Sequence, residues 1–214
     1  MYTTLGMLKA SAAVAAFPTL VSVDFNEDST SPHIANIPAV LVGDLLFIFT
    51  TFGTSGTLGA SPAGWTQLAG TAHGIYKWIT VASAATTVNM NASGSPADPG
   101  FTVVLVRGAD TAQNPQGAVF VEGPTASPNP PSLDPTWADT SNRFILYCGT
   151  SNNACVVTGV PSGYTLTEAN AGTATSSGIA TKTSTSSAVE DPGNFTLSGG
   201  ASLVRTFTIA VKGI

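Results

Sequence analysis

Apolar positions in this chain come in short runs, each closed by Gly, Pro, Asn or a Ser/Thr cluster. Residues 44–50 predict a strand, as do 65–68, 75–81, 86–90 and 101–107. The series continues through 118–121, 144–148, 154–158, 164–167, 177–183, 195–198 and 203–211. In the last run Phe207, Ile209 and Val211 share one face, and Thr206, Thr208, Ala210 and Lys212 the other. On residues 75–81, Tyr76 and Trp78 share a face opposite Lys77 and Ile79, so large apolar groups on both sides predict burial of both faces. After residue 20 no stretch of ten residues holds a helical period. Many short strands with turn residues between them predict an all-β chain.

The pattern occurs twice. Asp44-Leu-Leu-Phe-Ile-Phe is followed eighteen residues on by Pro62-Ala-Gly-Trp-Thr. Arg143-Phe-Ile-Leu-Tyr-Cys148 is followed at the same distance by Pro161-Ser-Gly-Tyr-Thr. Val104-Leu-Val-Arg-Gly108 closes the first half and Ile209-Ala-Val-Lys-Gly213 the second. In Pro-x-Gly-aromatic-Thr, proline restricts the corner and glycine supplies a positive φ, so the aromatic drops onto the core edge. Trp65 and Tyr164 therefore read as plugs of a core.

The expected fold is a single jelly-roll-like antiparallel β-sandwich built from two similar halves paired face to face, about residues 37–108 and 142–213, within one domain over 21–214; two separate small barrels are the alternative. Residues 109–141 are a crossing rich in proline, which has no donor for a central ladder. Leu133 and Trp137 would anchor it to the surface. Residues 1–20 read as an N-terminal arm or edge strand; a secretory signal fits poorly, because Lys9 alone is basic ahead of the apolar part.

Charge changes this picture. Only 9% of the 214 residues are charged and the net charge is −5, against roughly 25% charged residues in ordinary soluble domains. Hydroxyls and backbone must cover the surface, as suits a shell protein in an assembly. The seven basic residues are scattered, which argues against nucleic acid as a partner. No apolar run approaches the ~18 residues of a membrane span.

Candidate chemistry is sparse. His33 and His73 have no second ligand type at metal spacing, and no cofactor motif occurs. Asp24-Phe-Asn-Glu-Asp28 has the start of a calcium loop but continues with Ser29 where glycine belongs, so it reads as a solvated turn. Cys148 and Cys155 suit either a hairpin disulfide or two free thiols. Asp110, Asp134, Asp139, Glu168 and Glu190 are isolated, and a polysaccharide hydrolase would need two of them to meet in the fold. Tyr76, Trp78 and Trp137 could stack on a sugar, but large apolar groups on both faces of 75–81 argue for burial instead, with core on one side and a neighbouring subunit or the crossing on the other.

Gly43-Asp-Leu-Leu-Phe-Ile-Phe, Pro62-Ala-Gly-Trp-Thr, Tyr76-Lys-Trp and Val104-Leu-Val-Arg-Gly108 together resemble a β-sandwich domain of tailed-bacteriophage virion proteins. Decoration (cement) proteins, head fibres and tail-spike modules carry it. The resemblance covers roughly residues 20–213. It implies a non-enzymatic capsid-surface protein without cofactors, binding the major capsid protein or another virion protein and itself, as a homotrimer. Leu5, Leu8 and Phe17 of the arm, with Tyr76, Trp78 and Trp137, are the expected contact residues. The alternative it implies is a receptor- or glycan-binding module of a tail.

Overall fold

The computed structural model describes residues 16–52, 57–90, 92–93, 98–138, 141–151, 155–186, 188–201 and 203–214. The described residues contain strands and no helix. The first half holds β1 (Thr19–Glu27), β2 (Ile34–Ile37), β3 (Leu45–Thr51), β4 (Thr57–Leu58), β5 (Thr66–Leu68), β6 (Thr71–Trp78), β7 (Thr86–Asn89), β8 (Ala92–Ser93) and β9 (Gly100–Arg107). The second holds β10 (Gln116–Glu122), β11 (Asn142–Thr150), β12 (Val157–Gly159), β13 (Thr165–Ala171), β14 (Ser176–Ser184), β15 (Thr196–Leu197) and β16 (Val204–Lys212).

Two five-stranded antiparallel sheets dominate, ordered β1-β9-β3-β6-β5 and β10-β16-β11-β14-β13. These are the same order written twice, one sheet per half. In each, the first strand of the half lies beside the last, a wrapped arrangement of the jelly-roll kind. The small pairs repeat as well. β4 with β8 corresponds to β12 with β15, and β2 with β7 corresponds to a single bridge between Leu133 and Glu190. β1 and β10 lie outside the expected half-units, yet they form equivalent edges of the two sheets.

The sheets pack face to face, as the all-β sandwich reading expects. Between them lie Leu45, Phe47, Phe49, Val104 and Val106 from one half and Ile145, Tyr147, Phe207, Ile209 and Val211 from the other. Phe49 stacks on Tyr147 with ring centroids 4.6 Å apart. Each half also completes its own outer core. Leu46, Ile48, Phe101, Val103 and Leu105 meet the β2–β7 layer in the first half. Phe144, Leu146, Cys148, Val157 and Phe195 do the same in the second. The central strands of both sheets are thus covered on both faces, which explains why β3 and β9 read as nearly continuous apolar runs rather than alternating ones.

The pleat corrects the repeat by one residue. Aligning Asp44 with Arg143 would match Phe47, which faces the central core, with Leu146, which faces outward. A slip of one exchanges the faces of a strand. Asp44 matches Asn142 instead, and both are buried at the entry of their strands. β6 also starts earlier than expected, at Thr71. Ala69 and Gly70 both take positive φ, 52° and 70°, which closes a tight hairpin with β5. Residues 79–81 leave the sheet.

The proline-rich crossing lies over the second half's outer face. It works through its carbonyls: Phe195 N donates to Pro128 O, Leu197 N to Ala126 O and Thr208 Oγ1 to Pro131 O. Prolines lack donors, so a segment that accepts tolerates them.

Candidate functional site

The seam between the halves is the most heavily built polar structure described. Glu27 at the end of β1 reaches the β13–β14 turn of the other half. Its carboxylate accepts from Thr175 N and Thr175 Oγ1, both at 2.7 Å, from Thr173 Oγ1 at 2.7 Å, and from the backbone of Thr173 and Ala174. Burial alone would raise its pKa; the bonds from Thr175 and Thr173 outweigh that and hold the carboxyl below the usual range. Inside the seam Tyr147 Oη bonds Thr51 Oγ1, and Thr102 Oγ1 donates to Ser177 Oγ at 2.8 Å. Burial pushes the Tyr147 phenol up to about 12.

Glycines let the sheets approach. A Cβ on Gly74 would stand 2.7 Å from Phe207 Cε1, and one on Gly117 2.7 Å from Leu68 Cγ. In each case the contact crosses from one half to the other.

The corrected alignment also explains the charges. In the first half Asp44 is paired with Arg107, Nε to Oδ1 at 2.7 Å, and accepts from Leu41 N. Those bonds from Arg107, helped by Leu41, hold the Asp44 carboxyl below its usual range against burial. In the second half the matching residues are Asn142 and Lys212. The amide needs no cation, so Lys212 turns to Asp110 at 2.9 Å, and Arg143 Nε donates to Pro18 O in the first half. The ion pair internal to the first half thus has no twin in the second, where Lys212 holds the crossing and Arg143 reaches the first half.

One end of the first half exposes apolar side chains: Leu41 at 54%, Val42 at 66%, Val81 at 75% and the C-terminal Ile214 at 67%. Residues Leu41, Val42, Ala109 and Ile214 line one shallow depression there. Ala16 N donates to Ile214 O, so the N-terminal segment joins the sandwich at this end.

A second groove lies on the outer face of the first sheet. Trp65, Lys77, Leu46, Ile79, Thr86 and Val88 line about 270 Å³. Trp65 stands where expected: Gly64 has φ 79° and Trp65 N donates to Pro62 O at 3.1 Å. The twin turn has Gly163 at φ 82° and Tyr164 N on Pro161 O at 3.1 Å. The turn is legible in the sequence and the groove is not, because the groove depends on which residues of β7 face Lys77.

The expected contact residues are spread apart. Tyr76 is 7% exposed and belongs to the central core beside Phe47. That placement makes it a packing residue of the seam rather than a surface one. Trp78 packs at the rim of the same core and donates its indole N–H to Asn114 Oδ1 at 3.3 Å. Trp137 packs against the second half's outer core and donates to Asn142 Oδ1 at 2.8 Å. Phe17 is exposed beside the apolar end. Leu5 and Leu8 lie outside the described residues. Asp110 and Glu190 are each bound to a lysine, and Asp139 lies outside the described residues. Cys148 and Cys155 are free thiols, both buried, and burial raises the Cys148 pKa. Asp28, at the end of the calcium-like run, accepts from Thr30 N and Ile34 N and so caps its own turn. Among the described residues no three His, Cys, Asp or Glu side chains gather as a metal site would require. No protein-family model, curated protein or solved structure matches this chain.

Proposed function

We propose that the chain is a non-enzymatic structural protein of a tailed-phage virion, decorating and cementing the capsid surface, with itself and the major capsid protein as partners. The observation that carries the reading is the apolar end of the first half, where Leu41, Val42, Val81 and Ile214 stand exposed beside the entry of the N-terminal segment. Exposed apolar groups gathered at one place mark interaction surfaces. The low charge of the chain favours contact between like copies over solvation as separate molecules. A protein bound only to the assembled shell stabilises it by mass action. The symmetry expected is a homotrimer.

The test uses particles lacking the protein, heated with and without the purified chain. Bound chain raises the temperature at which particles come apart. Deleting residues 1–15, or Leu41→Asp with Val42→Asp, removes binding while the circular dichroism of the sandwich is unchanged. Full binding by both variants overturns the role of this end. Binding to a glycan array without binding to particles would favour the tail-module reading instead.

A further inference from the structure

We propose that the groove on the first half binds a small carboxylate carried on an apolar stem. The second half of the protein holds the filled counterpart of this groove. In the second half, Tyr164 stands at the place of Trp65, on the repeated turn. Lys182 stands at the place of Lys77: Lys182 lies opposite Phe144 and Lys77 opposite Leu46, and the pleat makes Phe144 and Leu46 equivalent. Lys182 holds Glu190 through both carboxylate oxygens at 2.9 Å, and its Nζ lies 5.5 Å from the centre of the Tyr164 ring. Tyr164 Oη donates to the same carboxylate at 2.9 Å. The aromatic, the cation and the acid complete one another.

The first half has the aromatic and the cation without the acid. Glu190 bridges to Leu133, and the corresponding pair in the first half is β2 with β7. On β7 the residues lining the groove are Thr86 and Val88, and neither carries a charge. Among the described residues Lys77 pairs with no carboxylate. Where Glu190 fills the second half, about 270 Å³ stands beside Trp65 and Lys77. Its walls of Leu46, Ile79 and Val88 suit an apolar stem, and Lys77 at its side suits an anion. The ligand's carboxylate takes the place that Glu190 takes in the second half.

The probe is hexanoate, with 1-hexanol as the same stem without charge and acetate as the charge without the stem. Titration is read at the indole N–H resonance of Trp65, assigned with Trp65→Phe. Hexanoate moves that resonance in a saturable way, and both controls bind more weakly. Lys77→Met weakens hexanoate by about tenfold or more, the scale of one charge-assisted hydrogen bond, and leaves hexanol unchanged. Lys77→Arg retains binding. Thr86→Glu supplies the missing acid in cis and abolishes hexanoate binding without lowering the melting temperature. No saturable shift with hexanoate, equal binding by Lys77→Met, or undiminished binding by Thr86→Glu overturns the proposal.

Discussion

His73 sits on β6 with its Nδ1 3.4 Å from Thr50 O and its ring edge-on to Phe52 at 5.4 Å between centroids. Burial, and then the charge of Arg205, push its pKa down to about 4. The folded state therefore resists protonation more than the unfolded chain, whose imidazole titrates near 6.5. The unfolded state binds the extra proton first, so His73 contributes stability above about pH 6.5, and that contribution drains away as pH falls toward 4. The expected loss over that window is about 1–3 kcal/mol, taken below the full shift because the ring keeps some solvent contact. Urea midpoints measured across the window should slope with pH in the natural chain and flatten in His73→Phe. An unchanged slope would place the titrating group elsewhere. Glu27 acts in the same direction at lower pH, since its carboxyl is held below the usual range.

At the scale of elements, the repeated Pro-x-Gly-aromatic turn is the device that seats an aromatic on each outer core. Gly163 at φ 82° meets no atom within 4 Å at its missing Cβ, so space is not what demands glycine there. Backbone conformation is. An L-residue in that region costs about 1–2 kcal/mol. Gly163→Ala should lower stability by that amount, and Gly163→Asn by less, because asparagine tolerates the left-handed region better. A larger loss for Gly163→Asn than for Gly163→Ala in a thermal melt would show that side-chain volume matters instead. Gly64 at φ 79° should behave in the same way, which makes the two turns an internal replicate. The hairpin at Ala69-Gly70 depends on the same conformational demand but has no twin in the sequence pattern. Its early start for β6 was therefore not readable from the apolar run alone.

At the scale of the whole molecule, the two halves share one core and cannot be parted without exposing Phe47, Phe49, Tyr147 and Phe207 to water. Their seam is held by the Glu27 clip and by Arg143 on the Pro18 carbonyl, while Lys212–Asp110 ties the crossing to β16. Unfolding should be one transition for both halves, with tryptophan fluorescence and circular dichroism coincident. Gly74→Ala forces a methyl against the fully buried Phe207 ring of the other half. Overpacking of this kind costs about 1–3 kcal/mol. The variant should shift the single transition as a unit; a first half melting alone would show that the seam does not couple them.

Periodicity and punctuation were enough to specify the all-β class, most of the strands, the duplication and the two aromatic turns. Each of these is written locally, in runs of apolar residues and in glycines that backbone conformation requires. The sequence also carried the sign of every charge, but not its partner. That Asp44 answers to Asn142 rather than Arg143 follows from which face of the sheet each neighbour occupies, and the spacing of a repeat does not carry the pleat. That each half forms its own sheet, that Tyr76 is buried in the seam, and that Lys77 lacks the acid Lys182 enjoys were decided by tertiary structure alone. All three depend on contacts between residues far apart along the chain, where local pattern has no reach.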